Sequence, residues 1–381
     1  MHIYDYIIIG SGLTGLTIAK KISQETENIL ILEAQDVAGG DNRPANLNGQ
    51  SLDNGLRFFP ATEASRQALG FLEDLLGHTV TSGSKENTVE TYEASGFKDF
   101  VGFGDKSPEF YDQLSYFLSQ EVFTLTQTPY QWMQSLVESL KTKIQTRSIV
   151  TRFGFEGLDS EKPVLTHVMV NGTKQLYAKN FIFAGPIKDL GLLIPDDVLN
   201  ARAKAKLKKS TAWQAVCVDL FHTAPVEKEN MFLLNGTTDD DIGPCIGRFL
   251  PAVTAEDGST SGQISQWMSF VDSDSAEDTE NIGLVLKKIK RQIKRAFPEV
   301  SDSVQKERIF VSPALSGADL KLNANLSLPK VENLWIASTQ ASRYANLLGS
   351  LMQAQLVLSA LGFVTNTLSL AEDVSSNEAD I

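Results

Sequence analysis

The sequence predicts an α/β protein: a parallel-sheet domain opening on a βαβ unit, joined to a second domain of antiparallel sheet plus helices. Two observations carry this. Residues 5–34, DYIIIGSGLTGLTIAKKISQETENILILEA, run strand, glycine loop, helix, strand. Residues 211–271 change character, giving short β-rich runs separated by turn-rich, acidic loops. The length of 381 residues suits two domains at about 150 residues each.

The opening unit justifies itself element by element. YDYIIIG is a β-branched run ending at Gly10, the pattern of a strand buried on both faces. Leu16, Ile18, Ala19 and Ile22 then follow at helical spacing. Between them lies Gly10-Ser11-Gly12-Leu13-Thr14-Gly15, a G-x-G-x-x-G. Gly10 permits the tight turn, Gly12 lets a pyrophosphate approach the backbone, and Gly15 lets helix pack on strand. The helix N-terminus offers N–H groups and partial positive charge to the phosphates. NILILE ends at Glu33, where a carboxylate accepts hydrogen bonds from an adenosine ribose and repels a 2′-phosphate, disfavouring NADP. The unit is therefore Rossmann-like.

Composition excludes several classes. With 42% hydrophobic and 21% charged residues the chain has the make-up of a soluble globular protein. A net charge of −13 argues against nucleic acid or anionic lipid as the main partner. Cys217 and Cys245 fit neither a CxxC redox pair nor a zinc site and sit in strand-like runs, so both are expected in the core. His2, His78, His167 and His222 have no metal-ligand spacing, so no metal is expected. MHIYDYIIIG lacks the basic and apolar regions of a secretory signal, and a cytoplasmic location follows as the expectation. The apolar stretch 346–364 carries Ser350, Gln353, Gln355 and Ser359, which makes it a buried amphipathic helix rather than an integral membrane segment.

Residues beyond Glu33 carry a resemblance. EAQDVAGGDNRPANLNGQSLDNGLRFFP resembles the flavin amine oxidase and protoporphyrinogen oxidase-like superfamily, which includes phytoene desaturases and UDP-galactopyranose mutases. The matching pieces are Glu33-Ala34, Gly39-Gly40, Arg43 and Asp53-Asn54-Gly55-Leu56-Arg57-Phe58. Paired glycines allow a second close backbone approach to a pyrophosphate, and a guanidinium can neutralise it. Residues 140–155 resemble the strand whose Val, here Val150, covers the adenine. Residues 176–195 resemble a strand returning to the cofactor, ending at Ala184-Gly185-Pro186. Residues 331–361 resemble the last strand and helix, with Ser338-Thr339 at the turn and Leu348, Gly349 and Ser350 at the helix start. The resemblance implies FAD, held by a discontinuous domain of residues 1–60, 140–195 and 331–365. Residues 61–139 and 196–330 then form the substrate domain, and 371–381 a disordered acidic tail.

Three places depart from the family pattern. Asp41 follows Gly39-Gly40 where a base is usual, so the loop is expected to turn it away from phosphate. Ser338-Thr339 replaces an acid that bonds the cofactor, so a hydroxyl stands in. The aromatic usual at the last helix is Ser350 here, with Tyr344 the nearest aromatic.

Elsewhere, residues 61–140 look largely helical, with Thr62 or Glu63 at one cap and Ser-Pro and Thr-Pro starts at 107–108 and 128–129. Most aromatics there are expected to pack. Residues 211–271 are expected to form the roof of a substrate pocket, with Trp213, Arg248 and Trp267 facing it; 237–244 and 254–262 are solvated loops. Residues 275–300 form a helix whose bases, Lys287 to Arg295, are a solvated face opposite Ile282, Leu286, Ile289 and Ile293.

The resemblance implies an FAD-dependent oxidoreductase taking hydride from a small organic substrate, as an amine oxidase or desaturase does. Its rivals are a non-redox flavin mutase and a non-catalytic nucleotide-binding protein that keeps the fold. Arg57 either holds an anionic substrate group or the flavin N1 charge, or else pairs with Asp53 or a FAD phosphate.

Overall fold

The computed structural model describes residues 2–365 apart from 58, 94, 105–106, 210–212, 235–242, 255–259, 313–321, 343 and 345. Phe58, most of the two expected acidic loops and the C-terminal tail lie outside the described residues.

Ile7, Ile8 and the whole of Ile29–Leu32 are buried because helices or strands cover both faces of the sheet they build. Ile3–Ile9 pairs in parallel with Ile29–Leu32 on one side and Lys174–Phe183 on the other. Lys143–Gln145 extends the sheet beyond Ile29–Leu32, and Val331–Ile336 extends it beside the end of Lys174–Phe183, both in parallel. The antiparallel hairpin Val150–Glu156 and Val164–Val170 lies against the start of Lys174–Phe183. Stretches separated by more than a hundred residues thus meet in one parallel sheet.

Helix Asn346–Ala360 differs from the amphipathic helix expected. Leu347, Leu348, Gln353, Ala354, Gln355, Val357 and Leu358 are all buried, so it has almost no solvent face. It is flanked by helices Leu13–Ile22 and Glu63–Leu76. Backbone carbonyls accept from both of its glutamines: Gln353 Nε2 donates to the Ile336 carbonyl at 2.8 Å and Gln355 Nε2 to the Gln67 carbonyl at 3.4 Å, while Gln355 Oε1 is buried without a partner. No helix among the described residues is long and apolar enough to cross a membrane.

The segment 61–140 is less helical than its sequence suggests. Thr62 does cap Glu63–Leu76 by accepting from Ser65 N–H, and Thr128 and Gln131 form a capping box on Pro129–Ser139. Between them lie strands Thr81–Glu86, Val89–Glu93, Gly96–Asp99 and Glu121–Leu125, with the short helix Tyr111–Ser115 running into a 3-10 turn at Tyr116–Leu118. The reason is tertiary: Val89–Glu93 pairs in parallel with Met231–Leu234, a partner with no local signature.

That pairing joins the hairpin to the second sheet. The order is Val304–Val311, Trp213–His222, Thr260–Asp272, Cys245–Phe249, Met231–Leu234, Val89–Glu93 and Gly96–Asp99, antiparallel except at the Met231 to Val89 junction. Helix Thr279–Ala296, capped by Asp278, lays Val285, Ile289 and Ile293 on this sheet and leaves Lys287, Arg291, Lys294 and Arg295 exposed. Cys217 and Cys245 are free and buried, with burial pushing the Cys217 thiol up to about 12. Trp267, expected at a substrate pocket, sits 1% exposed among Phe232, Phe249 and Phe297. Strand alternation turns it to the helix-covered face. Trp267→Ala should therefore cost about 3–5 kcal/mol of stability, read as a lower urea midpoint; an unchanged midpoint would remove Trp267 from the core.

Candidate functional site

A cavity of about 660 Å³ runs over the C-terminal ends of the parallel strands, where open α/β sheets bind ligands. Its wall gathers Gly10, Ser11, Gly12, Leu13, Thr14, Glu33, Ala34, Gly40, Val150, Ala184, Gly185, Ser338, Thr339 and Ser350. The three opening glycines have separate reasons. Gly10 has φ +105°, and a Cβ there would stand 2.9 Å from the Ala184 carbonyl oxygen. A Cβ on Gly15 would stand 2.1 Å from the Gly10 carbonyl oxygen. A Cβ on Gly12 would meet nothing within 4 Å, so that position opens into the cavity. Gly12 caps helix Leu13–Ile22 with no side-chain hydrogen bond, which leaves the cap to a ligand.

Glu33 is held by its own chain. Oε2 accepts from Ser11 N–H at 3.0 Å and Ser11 Oγ at 2.6 Å, and Oε1 accepts from Gln35 N–H at 2.8 Å. The carboxylate is oriented, and each oxygen can accept more than one bond. The second glycine pair docks on the first loop. Gly39 N–H donates to the Ser11 carbonyl at 3.0 Å, and a Cβ on Gly40 would lie 3.0 Å from Gly12 Cα.

At the far end a hydroxyl cluster stands where the family pattern has an acid. Thr339 Oγ1 lies 2.9 Å from Ser350 Oγ and 3.4 Å from Thr14 Oγ1, and Thr14 Oγ1 donates to the Ser350 carbonyl at 3.2 Å. These bonds join the first helix, the turn after the last strand and the last helix.

The cavity wall is acidic. It carries Glu33, Asp41 and Asp189 and, among the described residues, no Lys, Arg or His. The expectation that the loop turns Asp41 away is corrected: Asp41 lines the cavity. Its carboxyl is open to the cavity yet enclosed by protein, which raises its pKa, while Arg57 and Arg43 pull it back. Enclosure likewise raises Asp189.

Other expected site residues lie outside this wall. Arg43 Nε donates to the Gly40 carbonyl at 2.9 Å, folding the guanidinium onto its own turn. Gly15, Gly39 and Gly55 shape the loops, with Gly55 at φ +76° against Cys217. The Leu56 carbonyl accepts from Asn346 Nδ2 at 3.5 Å, and Leu348 N–H bonds the Tyr116 hydroxyl. A Cβ on Gly349 would stand 2.1 Å from the Tyr344 carbonyl oxygen, so the last helix needs glycine there. Trp213 packs edge-on to Phe110 with ring centres 5.6 Å apart.

Arg57 lines a second cavity of about 360 Å³, together with Asp53 and Arg248. Residues the sequence did not single out bind this region to the first cavity. Asp219, fully buried, accepts from Arg308 Nη1 at 2.8 Å and Gln266 Nε2 at 3.3 Å. Arg308 Nη2 also donates to Asn54 Oδ1, and Asn54 Nδ2 donates to the Asp41 and Arg43 carbonyls at 3.0 Å each. The antiparallel sheet thereby holds the loop that carries Asp41. Burial pushes Asp219 up to about 6, against the pull of Arg308. No group of His, Cys, Asp and Glu among the described residues could hold a metal.

With this geometry, comparison with known proteins is informative. The NAD(P)-binding Rossmann-like domain family matches residues 8–75. Flavin-containing amine oxidase A of Equus caballus is 44% identical over 39 residues, 10% of this chain and 7% of that protein. An oxidoreductase from Methanosarcina mazei superposes with a TM-score of 0.67 at 14% identity, over 93% of this chain and 99% of that one. Putrescine oxidase bound to putrescine gives 0.63 at 12% identity, over 95% and 99%. The fold is shared with the Methanosarcina mazei oxidoreductase and with putrescine oxidase. In this chain the parallel sheet, the glycine loop and the antiparallel sheet occur together, as the sequence predicts.

Two outcomes follow from the geometry. Gly12→Val should keep the fold, because its Cβ points into open space, yet block dinucleotide uptake; circular dichroism and cofactor titration separate the two. Asp219 is protonated more readily in the folded state, so its stability contribution declines as pH rises from its ordinary 3.8 to about 6. Wild-type stability should fall relative to Asp219→Asn across that window and run parallel above it, read by urea midpoints against pH.

Proposed function

We propose that this protein is an oxidoreductase that uses FAD and acts on a small organic molecule. The observation that carries the reading is the cavity running from Glu33 and Val150 past Gly12 to Thr339 and Ser350. Gly12 supports the fit: the open space at its Cβ is a cradle that a side chain would fill. When bound, FAD supplies the acceptor for a hydride leaving a substrate carbon. The protein's residues bind and orient. Glu33, fixed by Ser11 and Gln35, has acceptor capacity for ribose hydroxyls. The N-terminus of Leu13–Ile22 faces the phosphates, and a helix end supplies up to about 2 kcal/mol to an anion. Ser338, Thr339 and Ser350 offer hydroxyls toward the flavin end. The match to a flavin-containing amine oxidase supports FAD over a free nicotinamide cofactor.

Freshly purified protein should show flavin absorption and release FAD on denaturation. Colourless protein that also fails to take up added FAD would sink the reading. Asp41 on the wall opposes the pyrophosphate, so Asp41→Asn should tighten FAD binding by about 1 kcal/mol, severalfold. Because the Asp41 pKa is raised, wild type and variant should converge as pH falls and the carboxylate protonates. Fluorescence titration at several pH values checks both the gap and its closure.

A further inference from the structure

The second cavity differs from the first in charge. It is lined by Arg57 and Arg248 together with Asp53. Arg57 is 8% exposed, and the Nε atoms of both arginines are buried with no hydrogen-bond partner. Neither guanidinium forms an ion pair with a described residue. Asp53 acts on both electrostatically, and its own pKa is raised, first by burial. Arg57 gives one weak bond, Nη1 to the Leu56 carbonyl at 3.4 Å. Arg57 is buried and Arg248 half-buried, and cationic donors left unpaired there cost free energy unless something polar meets them.

We propose that this cavity is a receptor for a small apolar monocarboxylate, gripped by Arg57 and Arg248. A guanidinium takes a carboxylate through two parallel N–H···O bonds from its planar fork. Charge sets the class. Two arginines against Asp53 leave an excess of one positive charge, because Lys85 at the wall is already tied to Glu229 at 3.3 Å. One excess charge matches a carboxylate rather than a phosphate dianion, and it repels an ammonium. Val122, Phe123 and Met231 on the same wall supply apolar surface for the rest of the molecule. Arg57 also acts electrostatically on Asp41 of the first cavity, which places the grip beside the cofactor region. As a binding site the inference stands on these residues alone; as the substrate class it rests on the flavin reading.

The test is calorimetric titration of the full chain, with FAD present, using pentanoate, pentylamine and pentyl phosphate. Pentanoate should bind, with the amine at least about tenfold weaker, since charge-assisted bonds are worth at least that factor. Arg57→Met and Arg248→Met should each weaken pentanoate by about tenfold or more while circular dichroism is unchanged. Equal binding of amine and carboxylate, tighter binding of the phosphate ester, or variants that leave pentanoate unaffected would overturn the proposal. The wild-type comparison needs no variant, so misfolding of either substitution leaves it decisive. The flavin reading fails separately: colourless protein that still selects pentanoate keeps the receptor and loses the oxidoreductase, whereas yellow protein without selectivity does the reverse.

Discussion

A Cβ on Gly15 would stand 2.1 Å from the Gly10 carbonyl oxygen, and the approach this distance records underlies the rest of the molecule. It brings helix Leu13–Ile22 onto the end of strand Ile3–Ile9, so the helix N-terminus opens where the strands stop. Gly40 can then reach Gly12, and Ser11 can reach both Gly39 and Glu33. The same helix presents Thr14 to Thr339 and Ser350. Two separate stretches of chain are thereby fixed to the first helix by hydroxyls instead of charges. A bulkier residue at position 15 would push the helix away and loosen all of these contacts together.

The two cavities divide the electrostatics of the protein. The first carries carboxylates and backbone donors; the second carries arginines. The loop from Gly39 to Arg57 separates them, with Asp41 on one wall and Arg57 on the other. That loop contains little regular structure of its own, only the turn Gly40–Asn42 and the short pair Ala45–Leu47 and Gln50–Leu52. Its position is imposed from outside by Asn54, which binds the Asp41 and Arg43 carbonyls and is itself held by Arg308 and, through it, Asp219. A buried ion pair of this kind is a weak source of net stability because desolvation opposes the attraction. Here it fixes where the acidic wall and the cationic wall meet.

The reading of the chain failed where partners were distant. Residues 61–140 are expected to be largely helical, but Val89–Glu93 pairs with Met231–Leu234 and Thr81–Glu86 with Glu121–Leu125. Sheet pairing satisfied the backbone there, and local propensity lost. Gln353 and Gln355 give the last helix polar positions in sequence; in the fold each donates to a backbone carbonyl, so even these positions are buried. Trp267 lies on the helix-covered face of its strand, and alternation shows that one face is buried but not which layer covers it.

By itself the sequence determined the βαβ unit, the glycine loop and the acid at Glu33. These are short-range features: strand, turn and helix each have a periodicity or a backbone requirement that neighbouring residues reveal. It also located Val150, Ala184-Gly185 and Ser338-Thr339 as returns to one region, through resemblance rather than spacing. Only the tertiary structure decided that Asp41 faces the cavity, that Arg57 turns to a second one, and that Arg248 joins it there. Those outcomes depend on burial and on the field of charges brought together from residues 53, 57, 219, 248 and 308, and no local pattern encodes a Coulomb interaction between residues that far apart in the chain.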